Sequence, residues 1–154
     1  MKKIAIMLAT IIFIQLGATS VFADYTDVSG HWALRFINEL TDEKIVEGDN
    51  LAFRPDRNVN VDEFIKMVIA AMDIEVTPQP QNWSAPYIEK ALQKQLIYKD
   101  EFDKYNRPIK RGEIAKICVR AIGADEVSGN ERNELISRIS DYYDIYNKDK
   151  EYVL

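Results

Sequence analysis

The feature that most constrains this chain is a repeat. Setting residue i against i+51 aligns Trp32 with Trp83, Phe36 with Tyr87, Ile37 with Ile88, Leu40 with Ala91, Ile45 with Leu96 and Val46 with Ile97. At i+50 the rest of the unit aligns: Val59 with Ile109, Glu63 with Glu113, Phe64 with Ile114, Met67 with Ile117, Val68 with Cys118 and Ala71 with Ala121. A period of this length marks stacked supersecondary units, each too small to bury its apolar face alone. The change of offset is one residue lost from a loop.

Each unit reads as helix, loop, helix. Trp32, Phe36, Ile37 and Leu40 recur at helical spacing after the breaker Gly30. The loop from 46 to 58 carries Gly48, Asp49, Asn50 and Pro55. Asn60 is placed to cap a second helix, with Glu63 three residues on as the acid of a capping box. Phe64, Met67, Val68 and Ala71 then form an i, i+3, i+4, i+7 stripe. In the second unit Asn82 or Ser84 starts a helix with Pro86 in its first turn, where proline is tolerated. Glu113 repeats the capping position, and Ile114, Ile117, Cys118 and Ala121 repeat the stripe.

The expected organisation is a repeat over 24–75, an extended linker over 76–81 holding Pro78 and Pro80, and a second repeat over 82–124. A polar connector over 125–138 follows, with a short helix around Glu131 to Ile136, and then the opening of a third, truncated repeat over 139–154. There Tyr152 and Val153 fall where Phe36 and Ile37 fall in the first unit. The fold class is all-α.

Residues 1–23 are a different object. Lys2 and Lys3 precede an apolar run from Ile4 to Gly17, and Val21 and Ala23 stand at −3 and −1 of a cut before Asp24. A basic start, a short apolar run and small residues before the cut make a signal peptide rather than a span, which needs about 20 predominantly apolar residues. Losing 23 of the 154 residues removes two lysines and no acid, so the net charge moves from −5 to −7. That balance, with export, opposes nucleic-acid binding. One cysteine and one histidine leave no Cys/His metal cluster and no internal disulfide.

Asp27-Val28-Ser29-Gly30-His31-Trp32-Ala33 resembles the opening of an S-layer homology repeat, whose pattern continues through Gly-Ile-Ile-x-Gly and Phe-x-Pro to Ile-Thr-Arg-Ala-Glu-Phe. Ile45 to Gly48 resembles the turn, and Phe53-Arg54-Pro55 resembles the loop. Val59 to Phe64 stands at the second helix start, keeping the acid and the Phe but placing Val61 where the family has Arg. The second unit keeps both Arg111 and Glu113. The resemblance implies tandem repeats in a pseudo-symmetric helical bundle. It further implies a non-catalytic module without cofactor or metal, holding an exported protein on the bacterial cell wall. The implied partner is secondary cell wall polysaccharide, commonly pyruvylated, bound in grooves between repeats. No membrane insertion is expected after cleavage, and fused or associated cargo is possible.

On this reading Arg111 is the best anion ligand. A planar guanidinium suits a carboxylate, and the start of a helix adds N–H donors and the positive end of its dipole. Lys110 adds charge beside it. Trp32 and Trp83 offer apolar faces to a sugar, though their place in the stripe favours the core, and Gly48 belongs to the family turn. Asn60, Glu63 and Glu113 are capping residues. Val61 removes the arginine from one groove, which is then expected to be weak.

Other assignments are plainer. His31 is a satisfied structural imidazole, with no Ser/Asp partners for a triad. Cys118 is a buried small hydrophobe in the register of Val68. Asp49 fails as the start of an EF-hand loop, because Leu51 and Phe53 fill positions 3 and 5. The acids at 100, 101 and 103 read as a solvated loop. Glu63 and Glu113 as a hydrolytic pair would occupy one repeat position already used for capping. The alternative function is an exported protein–protein or structural module that has lost its sugar site.

Overall fold

In a computed structural model the described residues are 25–77, 79–124 and 129–140. The expected signal peptide and all but Ile139 and Ser140 of the expected third repeat lie outside them. Five helices are described: α1 (Leu34–Asp42), α2 (Val61–Ala71), α3 (Ala85–Gln93), α4 (Arg111–Ile122) and α5 (Gly129–Arg138). No strand occurs among the described residues, and no helix among them is long and apolar enough to cross a membrane. The fold is all-α. The helix expected around 131–136 runs from Gly129 to Arg138.

The first four helices end alike. The residues following them, Lys44, Asp73, Gln95 and Gly123, all have φ between 54° and 62°. The next residue donates back five positions: Ile45 to Leu40, Ile74 to Ile69, Leu96 to Ala91 and Ala124 to Val119. These are Schellman closures, which satisfy the last helical carbonyls. Lys44 pairs with Gln95 at i+51 and Asp73 with Gly123 at i+50, so the repeat extends to its stop signals. Only the last uses glycine, the residue that enters this conformation without steric cost.

The described residues form two compact units, one ending at Pro55 and the other beginning at Asp56. In the first, Tyr25, Val28 and Ile37 are buried with Ala33, Leu34 and Phe53 around them. Asp27 Oδ1 and Oδ2 accept the backbone N–H groups of Phe53 (2.9 Å) and Arg54 (2.7 Å). These two bonds hold the Asp27 carboxyl below its usual range. His31 Nδ1 accepts the Ala33 N–H at 3.1 Å, giving the imidazole a structural place at the entry to α1.

The second unit is built on α2, which packs against α3 and α4. Val61, Ile65 and Ile69 at i, i+4 and i+8 are its buried line, joined by Ala91, Leu96, Ile97, Phe102 and Ile117. The segments leading into α2 and α4 run side by side and antiparallel. Val61 N–H donates to Arg107 O (2.9 Å), Asp62 N–H to Tyr105 O (3.0 Å), and Ile109 N–H to Val59 O (3.0 Å). The equivalent stretches of the two repeats thus pair with each other.

Three burial expectations are corrected. Trp32 is 80% exposed and Trp83 45%, and Phe36 and Leu40 are exposed too. In the first unit the inward face of α1 is carried by Leu34 and Ile37, so the other half of the sequence stripe faces outward. Cys118 is exposed. Here α4 turns Glu113, Lys116 and Ile117 inward instead, because the two charged residues find partners there. The loop holding Glu101 is not simply solvated. Glu101 lies inside, accepting Arg120 (2.8 Å), Lys116 (3.2 Å) and the Tyr98 N–H (2.8 Å), while Phe102 joins the core. Arg120 also stacks 4.4 Å above the Tyr98 ring centroid.

Candidate functional site

The chemistry concentrates at the starts of α2 and α4, which occupy the same repeat position. At α2, Asn60 is the N-cap and its N–H donates to Glu63 Oε2 (2.8 Å), while Arg57 binds Glu63 Oε1 (2.7 Å). At α4, Lys110 is the N-cap and its N–H donates to Glu113 Oε2 (2.9 Å). Arg107 grips both oxygens of Glu113, at 2.7 and 2.9 Å. Burial works against both carboxylates, and the arginine and backbone bonds outweigh it, so both titrate below their usual range. Arg107 is correspondingly held in its charged form and also reaches Asp103 at 2.9 Å.

The same scaffold carries opposite charge at the two sites. Residues 57–63 hold one arginine against two acids, a balance of −1, whereas 107–113 hold three basic residues against one acid, +2. Glu113 is matched by Arg107, and Lys110 and Arg111, both exposed, stand at the positive end of the α4 dipole. At α2, Val61 stands where α4 has Arg111, and it is a fully buried core residue.

Asp62 follows it. Only 7% exposed, it lines a groove of about 440 Å³ whose other walls are the start of α3 and the turn at Tyr105 and Asn106. Burial pushes its carboxyl up, against a bond from the Glu63 N–H to Oδ1 (3.0 Å), a bond from its own N–H and the Arg57 charge. None of Arg111, Lys110 and Trp83 lines this groove.

The remaining sequence candidates are separate. Trp83 packs at a tilt against Tyr87 with ring centroids 6.5 Å apart, and Trp32 against His31 at 5.6 Å. Gly48 has a structural reason to be glycine. Its N–H donates to Tyr25 Oη at 2.7 Å, and a Cβ there would come within 3.0 Å of the Tyr25 ring and the Ala52 carbonyl. Among the described residues no group of three or more His, Cys, Asp or Glu side chains is placed to hold a metal ion.

Residue-type scanning missed Arg57, Arg107 and Asp62. The first two were within reach, since they align at i+50 six residues before the aligned glutamates. Asp62 carries no such signal, because the matching residue is Gly112.

Comparison with curated proteins gives no match. The family profile of the S-layer homology domain matches residues 24–65, the stretch from Asp24 through the first half of α2. Domains of this family are non-catalytic cell-wall anchoring modules associated with the bacterial cell surface. The chain carries an S-layer homology domain over residues 24–65.

Proposed function

We propose that the chain is exported and held non-covalently at the cell wall by pyruvylated wall polysaccharide, with Arg111 as the principal ligand of the pyruvyl carboxylate. The observation that carries this is the contrast between the two repeat-equivalent helix starts. At α4 the acid that would repel an anion is bound by Arg107 through two bonds, so the exposed Lys110 and Arg111 act on the approaching carboxylate. Exposed Trp32 and Trp83 provide apolar faces suited to a sugar ring. Val61 withdraws the anion ligand from the first repeat, so one strong carboxylate site per pair of repeats is expected.

The test is binding of the chain lacking residues 1–23 to isolated wall polysaccharide, before and after chemical removal of pyruvate. Binding is expected to weaken at least tenfold on depyruvylation and by a similar factor in Arg111→Ala. Undiminished binding by Arg111→Ala overturns the site. Failure of the wild-type chain to bind favours the second reading, a protein–protein module; the exposed row Trp32, Phe36 and Leu40 supports it.

A further inference from the structure

The groove at the start of α2 has a chemistry opposite to that of Arg111. Its ionisable acids are Asp62 and Glu89, and no basic residue lines it. Arg57, whose field reaches Asp62, is bonded to Glu63 instead. Glu89 accepts the Gln93 amide at 3.1 Å, so it is already engaged within α3. Among the described residues no ion pair reaches Asp62. A carboxylate this buried is normally paired with a cation or bound to several donors; here its donors are the backbone N–H groups of Glu63 and of Asp62 itself, and the groove opens onto it.

The rest of the lining says what that partner is attached to. Asn82, Ser84 and Asn106 supply donors and acceptors for hydroxyl groups. Ile88 and Leu92 give an apolar strip along α3, and Tyr105 adds an aromatic wall. The volume falls in the range of small-molecule clefts. An apolar strip flanked by short amides and a hydroxyl fits a pyranose ring better than a bare cation.

We propose that this groove binds a hexosamine residue with a free amino group, its ammonium seated against the Asp62 carboxylate. The proposal rests on the wall-glycan reading and extends it: the first repeat, having lost the anion ligand, is re-specified for a cationic sugar. The bound polymer then bears both an acidic substituent, taken at Arg111, and an unacetylated amino sugar, taken at Asp62. The upward pressure of burial on the Asp62 carboxyl is relieved by an ammonium partner.

The probe is a β-1,4-linked glucosamine tetramer, titrated by calorimetry and by amide chemical shifts into the chain lacking residues 1–23. Its N-acetylated counterpart and tri-lysine serve as comparisons. The glucosamine tetramer is expected to bind at least tenfold more tightly than either, with shifts at Asn82, Ser84 and Asn106. Asp62→Asn, which keeps shape and the acceptor for the Glu63 N–H, is expected to lose at least tenfold. Asn106→Ala, on the exposed rim, is expected to lose several-fold and gives a second variant if Asp62→Asn unfolds. Equal binding of the acetylated tetramer, equal binding of tri-lysine, or full binding by both variants overturns the proposal. Polysaccharide binding that depends on Arg111 but not Asp62 leaves the function standing and removes the groove. Tetramer binding without polysaccharide binding does the reverse.

Discussion

Replacing Arg107 with Met isolates the two-bond ion pair between Arg107 and Glu113. Glu113 is 7% exposed at its side chain and holds two guanidinium bonds plus the Lys110 N–H. The variant leaves Oε1 without a partner in a place water barely reaches. Breaking a buried pair from one side costs about 3–5 kcal/mol. The partly open guanidinium site, 24% exposed, points to the lower end, about 3 kcal/mol. A ceiling follows from protonation. A released carboxyl with the ordinary value of 4.5 can take up a proton at pH 7 for about 3.4 kcal/mol, from about 1.36 kcal/mol per pH unit.

The sign of the pH dependence is fixed by the same numbers. In the wild type the folded Glu113 titrates below its unfolded value, so its contribution is present above about pH 4.5 and is lost as pH falls through the folded value. The variant lacks that contribution at every pH. Its deficit is therefore about 3 kcal/mol at pH 7 and shrinks only below about pH 4.5, as pH falls through the folded value. Arg57→Met is the internal comparison: Glu63 has one guanidinium bond and is 26% exposed, so the deficit is about 1 kcal/mol. Asp103→Asn, at a 73% exposed partner, is expected within about 0.5 kcal/mol of wild type. Urea unfolding followed by circular dichroism at pH 7 and well below pH 4.5 reads all three. Equal losses for Arg107→Met and Arg57→Met, or an Arg107→Met loss well below pH 4.5 as large as at pH 7, would refute the reasoning.

Leu51→Gly is expected to raise stability by about 1 kcal/mol, because Asn50 and Leu51 both have positive φ (48° and 67°) in a tight turn closed by Asp49 and Ala52. Thermal denaturation checks it, and unchanged or lowered stability contradicts the turn geometry. Gln95→Gly, at a Schellman position with φ 58°, should gain about 0.5–1 kcal/mol by the same measurement. Gly48→Ala should cost about 2 kcal/mol through its clash with Tyr25 and Ala52; a loss below 0.5 kcal/mol in urea titration would show that the loop yields. Cys118, being exposed, should react fully with a thiol reagent in the native state, and Cys118→Ser should change stability by less than about 0.5 kcal/mol.

Much of this was legible from the chain alone, for a local reason. Helix existence, the Glu63 and Glu113 positions, the one-residue slip and the family opening at Asp27 to Ala33 all depend on residues within a few positions of each other, and the period of 50 states each twice. Which face of each helix is buried is a different kind of fact. Ile114, Ile117, Cys118 and Ala121 form as good a stripe on paper as Glu113, Lys116 and Ile117 do in the fold. The arrival of Arg107 at Glu113, and of Glu101 at Lys116 and Arg120, gives the two charged residues partners on the inward face, while Cys118 is exposed. Sequence by itself determined the repeat, the helices and the family of residues 24–65, because short-range periodicity and capping write those directly. Tertiary structure decided the Glu101 charge cluster, the inward face of α4 and the groove at Asp62, because these depend on segments distant in the chain meeting, Glu101 with Arg120 19 residues on and Asp62 with Tyr105 43 residues on.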